Sequence, residues 1–550
     1  MAAASARFGK QPSVRVIVQY RQQPTDAHFA RVQNLGGRFP RRLDLIRSGV
    51  FTVPAGALAE MAKAPDVAFI SLDHALKAAD DLSNAAVGAD VAFQAGHDGT
   101  GVTIAVIDSG INDTNPDFAK TTGSGSRVLY HQDFTGTPIT NAAGTVVYDT
   151  YGHGTHVAGI LGGNGKLSNG QYRGVAPNVN LVDLRVLDKN GGGTDSNVIA
   201  AIQRAVALKS TYNIRVINLS LGRPIWNFYA QDPLCQAVEA AWQAGIMVVV
   251  AAGNYGRVSV NGSNGYGTIT APGNDPLVLT VGAMKAMNTA SRTDDLIASY
   301  SSKGPTTYDH VVKPDIVAPG NLVKSVIDKG STLDTEYPAN EVIGTFDNHP
   351  DYFILSGTSM ATPVVSGAAA LLLQQSSSLT PDEIKARLMK TAYKVFPTSS
   401  TSVDPVTGQS YTSYYDIFTV GAGYLDVNAG LQNTDLTSNR VGAALSPFVV
   451  YNATAGTVTL FNGNSVVTPN SVVWGQSVVW GQSVVWGQSV VSGQSVVWGQ
   501  SVVWGQNSLS GFSVVWGQSD GTSGPAGSSV VWGQSADLNQ ASSVDASGEE

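Results

Sequence analysis

Five near-continuous apolar runs constrain the fold of this chain more than any other feature. GVTIAVID, VNLVDLRVL, IRVINLSLG, GIMVVVAAGN and LVLTVGA recur between residues 101 and 283. A strand with one wet face alternates apolar and polar residues, whereas a run without alternation must be covered on both faces. Segments of helical texture, such as NVIAAIQRAVALK and CQAVEAAWQAG, separate the runs. Strands alternating with helices read as a layered α/β domain with a parallel sheet, whose ligands lie at the carboxyl ends of the strands. This texture occupies residues 80–432.

The flanking regions differ. Residues 13–79 read as a small α+β unit. SVRVIVQY alternates like a strand, and DAHFARVQNLG reads as a helix closed by glycine. GVFTVPAG follows as strand and turn, ALAEMAKAPD as a second helix and VAFISLD as a last strand. Residues 433–470 read as a short β-rich extension. Residues 471–550 form a low-complexity tail built on the hexapeptide SVVWGQ, which holds seven of the nine tryptophans. Period six is a multiple of two, so an extended strand would place Val and Trp repeatedly on one face. Stacked β-structure, surface binding, assembly and a tail without a fixed partner all remain open.

Composition narrows the function. Hydrophobic residues make up 43% and charged residues 13%, which suits a compact extracellular enzyme. The formal net charge is −8 with no long basic run, so no nucleic-acid partner is expected. Residues 1–79 hold 11 Lys/Arg and 5 Asp/Glu, a net of +6, against 22 and 36, a net of −14, in the remainder. Segments of opposite sign attract one another. The single cysteine, Cys235, excludes an intramolecular disulfide and reads as a small core residue. No run of about 18 apolar residues exists, so no transmembrane segment is expected. MAAASARFGKQPSV shows no signal-peptide core.

Three segments carry chemistry. VTIAVIDSGI ends a buried strand on Asp108, YGHGTHVAGILGG opens a glycine-flanked helix with His153, and LSGTSMATPVVSGAAALLL starts an apolar helix at Ser359. Pro363 is expected in that helix's first turn, where proline is tolerated. A serine becomes a useful nucleophile when an imidazole takes its proton and a carboxylate steadies the imidazolium. Singly, the three residues read as a turn former, a loop histidine and a helix cap. Jointly, in the order Asp…His…Ser, they read as a triad. His156 lies three residues beyond His153, and helix geometry alone does not exclude it.

VIDSGI, HGTHVAG and GTSMATP resemble the three active-site signatures of the subtilase family of serine endopeptidases. GVAPNVNLVDLRVLD, SSKGPTTYDHVVKPDIVAPG and GAGYLDVNAGL extend the resemblance across residues 80–432. It implies a subtilisin-like fold, an Asp108–His153–Ser359 triad with His156 merely packed, and hydrolysis of protein and peptide substrates outside the cell. Asn254, in VVVAAGNYG, matches the oxyanion-hole amide, with the Ser359 N–H as second donor. The edges Gly191-Gly192-Gly193 and Ser220-Leu221-Gly222 should grip an extended peptide by strand addition. The primary pocket should lie between residues 220–222, 251–254 (with Ala252 and Gly253) and 270–273. Its small apolar walls, with Asp275 outside, imply broad specificity and an apolar or aromatic residue before the cut.

Residues 13–79 resemble the family's inhibitor-type propeptide, which implies an intramolecular inhibitor removed by self-processing, with LDHALKAADD as the junction and the first cut between Leu76 and Asn84. The triad needs no cofactor. Asp117, in NDTNPDF, matches a family calcium ligand, but GGNGKLSNGQYRG does not match the ligand loop, so that structural calcium site is expected to be missing or altered. The reading from another class is a catalytically inactive peptide- or surface-binding protein that uses its Trp-rich repeats.

Overall fold

The computed structural model describes residues 13–43, 47–72, 83–136, 139–140, 146–258, 263–343, 350–404, 407–437, 440–452, 457–463, 465–466, 512–515, 528–531 and 549. Two compact units divide the chain, Met1–Ala79 and Asp80–Glu550.

The first unit is a four-stranded antiparallel sheet in the order Arg38–Leu43, Ser48–Pro54, Ser13–Tyr20, Val67–Leu72. Alternation in SVRVIVQY buries Val16, Val18 and Tyr20, and the helix Asp26–Asn34 adds Phe29 and Val32 to the same core. The strand RFPRRL has no apolar alternation; it pairs at the sheet edge, where Pro40 can be accommodated. The second expected helix contracts to Leu58–Met61 after a 3-10 turn at Ala55–Ala57. The junction LDHALKAADD lies outside the described residues apart from Leu72.

The second unit is built on an eight-stranded, mainly parallel sheet flanked by helices. Its order is Leu296–Ile297, Leu279–Lys285, Met247–Ala251, Ile214–Leu219, Thr103–Asp108, Asn180–Arg185, Val128–Asp133, with Ile316–Pro319 also beside Leu279–Lys285. The pair Leu279–Lys285 and Leu296–Ile297 is antiparallel. All five apolar runs supply strands, and Thr103–Asp108 and Met247–Ala251 are buried along their whole lengths, as their missing alternation requires. Thr103–Asp108 comes first in the chain but lies mid-sheet between Ile214–Leu219 and Asn180–Arg185. The order of connection reverses there, which opens a crevice at the carboxyl ends.

Two helices are buried almost throughout, His153–Gly162 and Thr358–Gln375, and they pack against each other and the sheet. Pro363 is the sixth residue of the second helix, not part of its first turn, because the helix already begins at Thr358. A proline there cannot donate to the carbonyl of Ser359. Ser220 Oγ donates to that carbonyl instead, at 2.8 Å.

Beyond the sheet, Phe448–Asn452, Thr457–Asn462 and Ser465–Val466 form a small antiparallel sheet, and Ala444 and Val449 join the main core. In the repeat tail, Phe512–Val515 pairs in parallel with Ser528–Val531. The repeat tryptophans lie outside the described residues. No helix among the described residues is long and apolar enough to cross a membrane.

Candidate active site

Three neighbouring strands bring the first polar groups together. One ends on Asp108; the next ends at Leu219, just before Ser220; the third ends at Ala251, three residues before Asn254. The two buried helices add His153 and Ser359 from their first turns.

Asp108 Oδ1 lies 2.7 Å from His153 Nδ1, with both side chains buried. The same oxygen accepts from the Ser109 N–H at 2.8 Å, while Oδ2 is buried without a hydrogen-bond partner among the described residues. A carboxylate placed so fixes which imidazole nitrogen carries the proton, and so turns Nε2 into the available base.

The approach of that helix depends on glycine. A Cβ on Gly154 would lie 2.2 Å from the Gly110 carbonyl oxygen and 3.2 Å from Asp108 Cβ. A side chain here would force the helix off the Asp108 loop.

Asp149, which the sequence reading passed over, ties these pieces together. Its Oδ1 accepts from Ser109 Oγ at 2.9 Å and Gly152 N–H at 2.8 Å, and its Oδ2 accepts from Thr155 N–H at 2.8 Å. Ser109 Oγ in turn accepts from the Gly154 N–H at 2.8 Å. Asp149 thus occupies unpaired donors at the start of the His153 helix. Full burial pushes its carboxyl upward, and the hydrogen bonds oppose that rise. The available signal was an aspartate one helical turn before a catalytic histidine candidate.

Ser359 is nearly buried, and its Oγ donates to the Ser220 carbonyl at 3.2 Å. As the second residue of its helix, its N–H has no intrahelical acceptor. Asn254 Oδ1 accepts from Thr358 N–H at 2.9 Å and from Thr358 Oγ at 3.0 Å. Gly253 N–H donates to the same hydroxyl at 3.1 Å. Holding Oδ1 this way makes Nδ2 the donor end of the amide.

The expected pocket walls meet. Arg223 and Ala271 exchange backbone hydrogen bonds of 3.0 and 2.8 Å, and Thr270 N–H donates to Ala252 O at 3.0 Å. A Cβ on Gly222 would meet Thr270 Oγ1 at 2.4 Å, and one on Gly253 would meet Thr270 Cγ2 at 2.7 Å. Ser220-Leu221-Gly222 and Ala252-Gly253 therefore converge on one wall. Gly191-Gly192-Gly193 curls over Asp188, whose carboxylate accepts from the Gly192 N–H at 3.0 Å. A Cβ on Gly191 would lie 2.7 Å from the Tyr151 ring, close to His153.

Other candidates separate cleanly. His156 is buried, shares a 3.0 Å hydrogen bond between Nε2 and the Phe353 carbonyl, and is pushed down to about 3, chiefly by burial. Burial pushes the Cys235 thiol up, and its Sγ donates to Asn274 Oδ1 at 3.3 Å. Asp117, expected as a calcium ligand, is engaged by donors of the protein. Its oxygens accept from Leu167 N–H at 2.9 Å and Tyr352 OH at 2.7 Å. Calcium needs about six to eight oxygens, and no group of three or more His, Cys, Asp or Glu is placed to hold a metal among the described residues.

Comparison with known proteins adds an independent finding. The model of the subtilase family matches residues 99–442. Serine protease AprX of Bacillus subtilis (strain 168) is 41% identical over 295 residues, which span 53% of this chain and 61% of that protein. Subtilisin E of the same strain is 30% identical over 386 residues, covering 69% of this chain and 85% of that protein. Among solved structures, a cold adapted subtilisin-like serine proteinase is 33% identical, with a TM-score of 0.39, covering 54% of this chain and 84% of that one.

Proposed function

The chain belongs to the subtilase family of serine endopeptidases, and from that premise we propose that Ser359 Oγ attacks the peptide carbonyl. His153 Nε2 takes the hydroxyl proton, and the Asp108 carboxylate steadies the imidazolium. Oxygen of the tetrahedral intermediate receives the Asn254 Nδ2 and Ser359 N–H donors, which strengthen as its charge develops. On collapse His153 gives the proton to the leaving amine, and an acyl group remains on Ser359. Water then repeats the sequence and frees the enzyme. No metal takes part in these steps.

The reading is carried by the buried 2.7 Å contact of Asp108 with His153. Substrate enters as an added strand between Gly191–193 and 220–222. Small walls favour an apolar or aromatic residue before the cut. Peptide libraries should select Phe, Tyr, Leu or Met there, and a requirement for Arg or Lys would contradict the pocket. Low charge content supports a secreted enzyme. The first unit acts as its intramolecular inhibitor.

Casein hydrolysis tests the nucleophile. Once self-processed, the protein should cleave casein, lose activity to an active-site serine reagent, and fall by roughly 10⁶ in kcat on Ser359→Ala, the scale found for a subtilisin nucleophile. Casein cleavage surviving that substitution would assign the activity elsewhere. No cleavage by the parent chain would favour the binding-protein reading.

A further inference from the structure

A carboxylate from the far end of the chain is buried in the unit that carries the triad. Glu549 is 4% exposed, although its neighbourhood, DASGEE, offers almost nothing apolar to bury. Removing a carboxylate from water costs several kcal/mol unless charges and donors replace the water. Here they do. Arg257 Nη2 donates to Oε1 at 2.7 Å, and Lys285 Nζ stands 3.3 Å from Oε2. Ser299 N–H reaches Oε1 at 3.0 Å and Ser402 Oγ reaches Oε2 at 3.1 Å. The Ser299 hydroxyl also donates to Oε1.

The main chain of Glu549 is held as well. Its N–H donates to Asn321 Oδ1 at 2.8 Å, and Asn321 Nδ2 donates to its carbonyl at 2.6 Å. The asparagine reads peptide backbone, and the cations and serines read a carboxylate. Arg257 also pairs with Asp404 at 3.0 Å, so two cations meet two anions when Glu549 is in place. Burial alone would raise the Glu549 carboxyl, but Ser299, Lys285 and Arg257 outweigh it and hold it below the usual range.

We infer that Arg257, Lys285, Ser299, Asn321 and Ser402 form a peptide-carboxylate socket whose occupant is Glu549. Glu549 thereby ties the sequence beyond the repeats to the part of the unit that carries the triad. The socket draws on segments that set the reaction centre. Arg257 follows Asn254 by three residues, and Gly256 N–H donates to the Tyr300 carbonyl, next to Ser299, at 2.7 Å. Asn321 follows Gly320, whose carbonyl accepts from Gly357 N–H, two residues before Ser359, at 2.8 Å. Occupancy braces both segments, whatever the chemistry at Ser359.

The test uses the full chain with Ser359→Ala, so that self-digestion does not enter. Hydrogen exchange read by mass spectrometry reports on the segments around Arg257 and Ser299. Adding Glu549→Gln should raise exchange there roughly tenfold or more and lower the melting temperature. A synthetic DASGEE peptide added to that variant should restore protection, whereas the same peptide with glutamine at the position of Glu549 should not. Unchanged exchange in Glu549→Gln would overturn the socket. Restoration by both peptides would overturn the carboxylate reading. Loss of protection when the Gln peptide is added to the Glu549-bearing chain would show that Glu549 is not the preferred occupant.

Discussion

Asp275 shows how burial sets the behaviour of a single group. It is fully buried, and its Oδ1 accepts from the Leu277 N–H at 2.8 Å. Its Oδ2 has no hydrogen-bond partner among the described residues. Burial first, and then the negative charge of Glu239, push its carboxyl from 3.8 up to about 8. The folded state therefore binds this proton more tightly than the unfolded chain does. Below the unfolded value the stabilising effect is complete, and it is lost as pH rises through the folded value. Asparagine at this position stays neutral throughout. Urea unfolding of Asp275→Asn and its parent, both with Ser359→Ala, should show the variant gaining relative stability between about pH 4 and about pH 8. A difference that stays flat with pH would mean that Asp275 is ionised in the fold.

At the scale of elements, catalysis depends on how closely one helix meets one loop. His153–Gly162 starts against the Asp108 loop because Gly154 has no Cβ, and the Asp149 network pins its first turn. Gly154→Ala would place a carbon 2.2 Å from the Gly110 oxygen, so helix and loop must part. A misplacement of about 1 Å costs on the order of 10² in rate. Steady-state kinetics should show kcat falling by about that factor with KM little changed, since the substrate edges lie on other segments. Circular dichroism would verify that the variant is folded. A near-normal kcat would show that the Asp108–His153 contact survives such a retreat. Pro363 acts on the second helix in a related way, freeing the Ser359 carbonyl to accept from Ser220 Oγ.

At the scale of the whole molecule, residues 1–79 carry a net charge of +6 and the remainder −14, so docking of the one on the other, if it occurs, should be favoured at low salt. If the enzyme reads peptides as extended strands, its own linker is a substrate, and the first cut should fall between Leu76 and Asn84. Ser359→Ala protein should then accumulate with residues 1–79 attached, as intact mass would show. Normal processing of that variant when purified alone would assign the cut to another protease. The sequence by itself determined the buried parallel strands, because missing alternation is a local property that a two-sided layer must satisfy. Its three signature segments singled out Asp108, a histidine of HGTH and Ser359, while the choice of His153 over His156 and of Asn254 came from the resemblance to the subtilase family. The edge strand RFPRRL, the true start of the Ser359 helix and the roles of Asp149 and Glu549 were decided only by tertiary structure. A polar segment becomes a strand, and a buried acid becomes stable, only through partners brought from elsewhere. For Glu549 and Arg257 those partners are 292 residues apart, and no local pattern encodes the charge that makes burial possible.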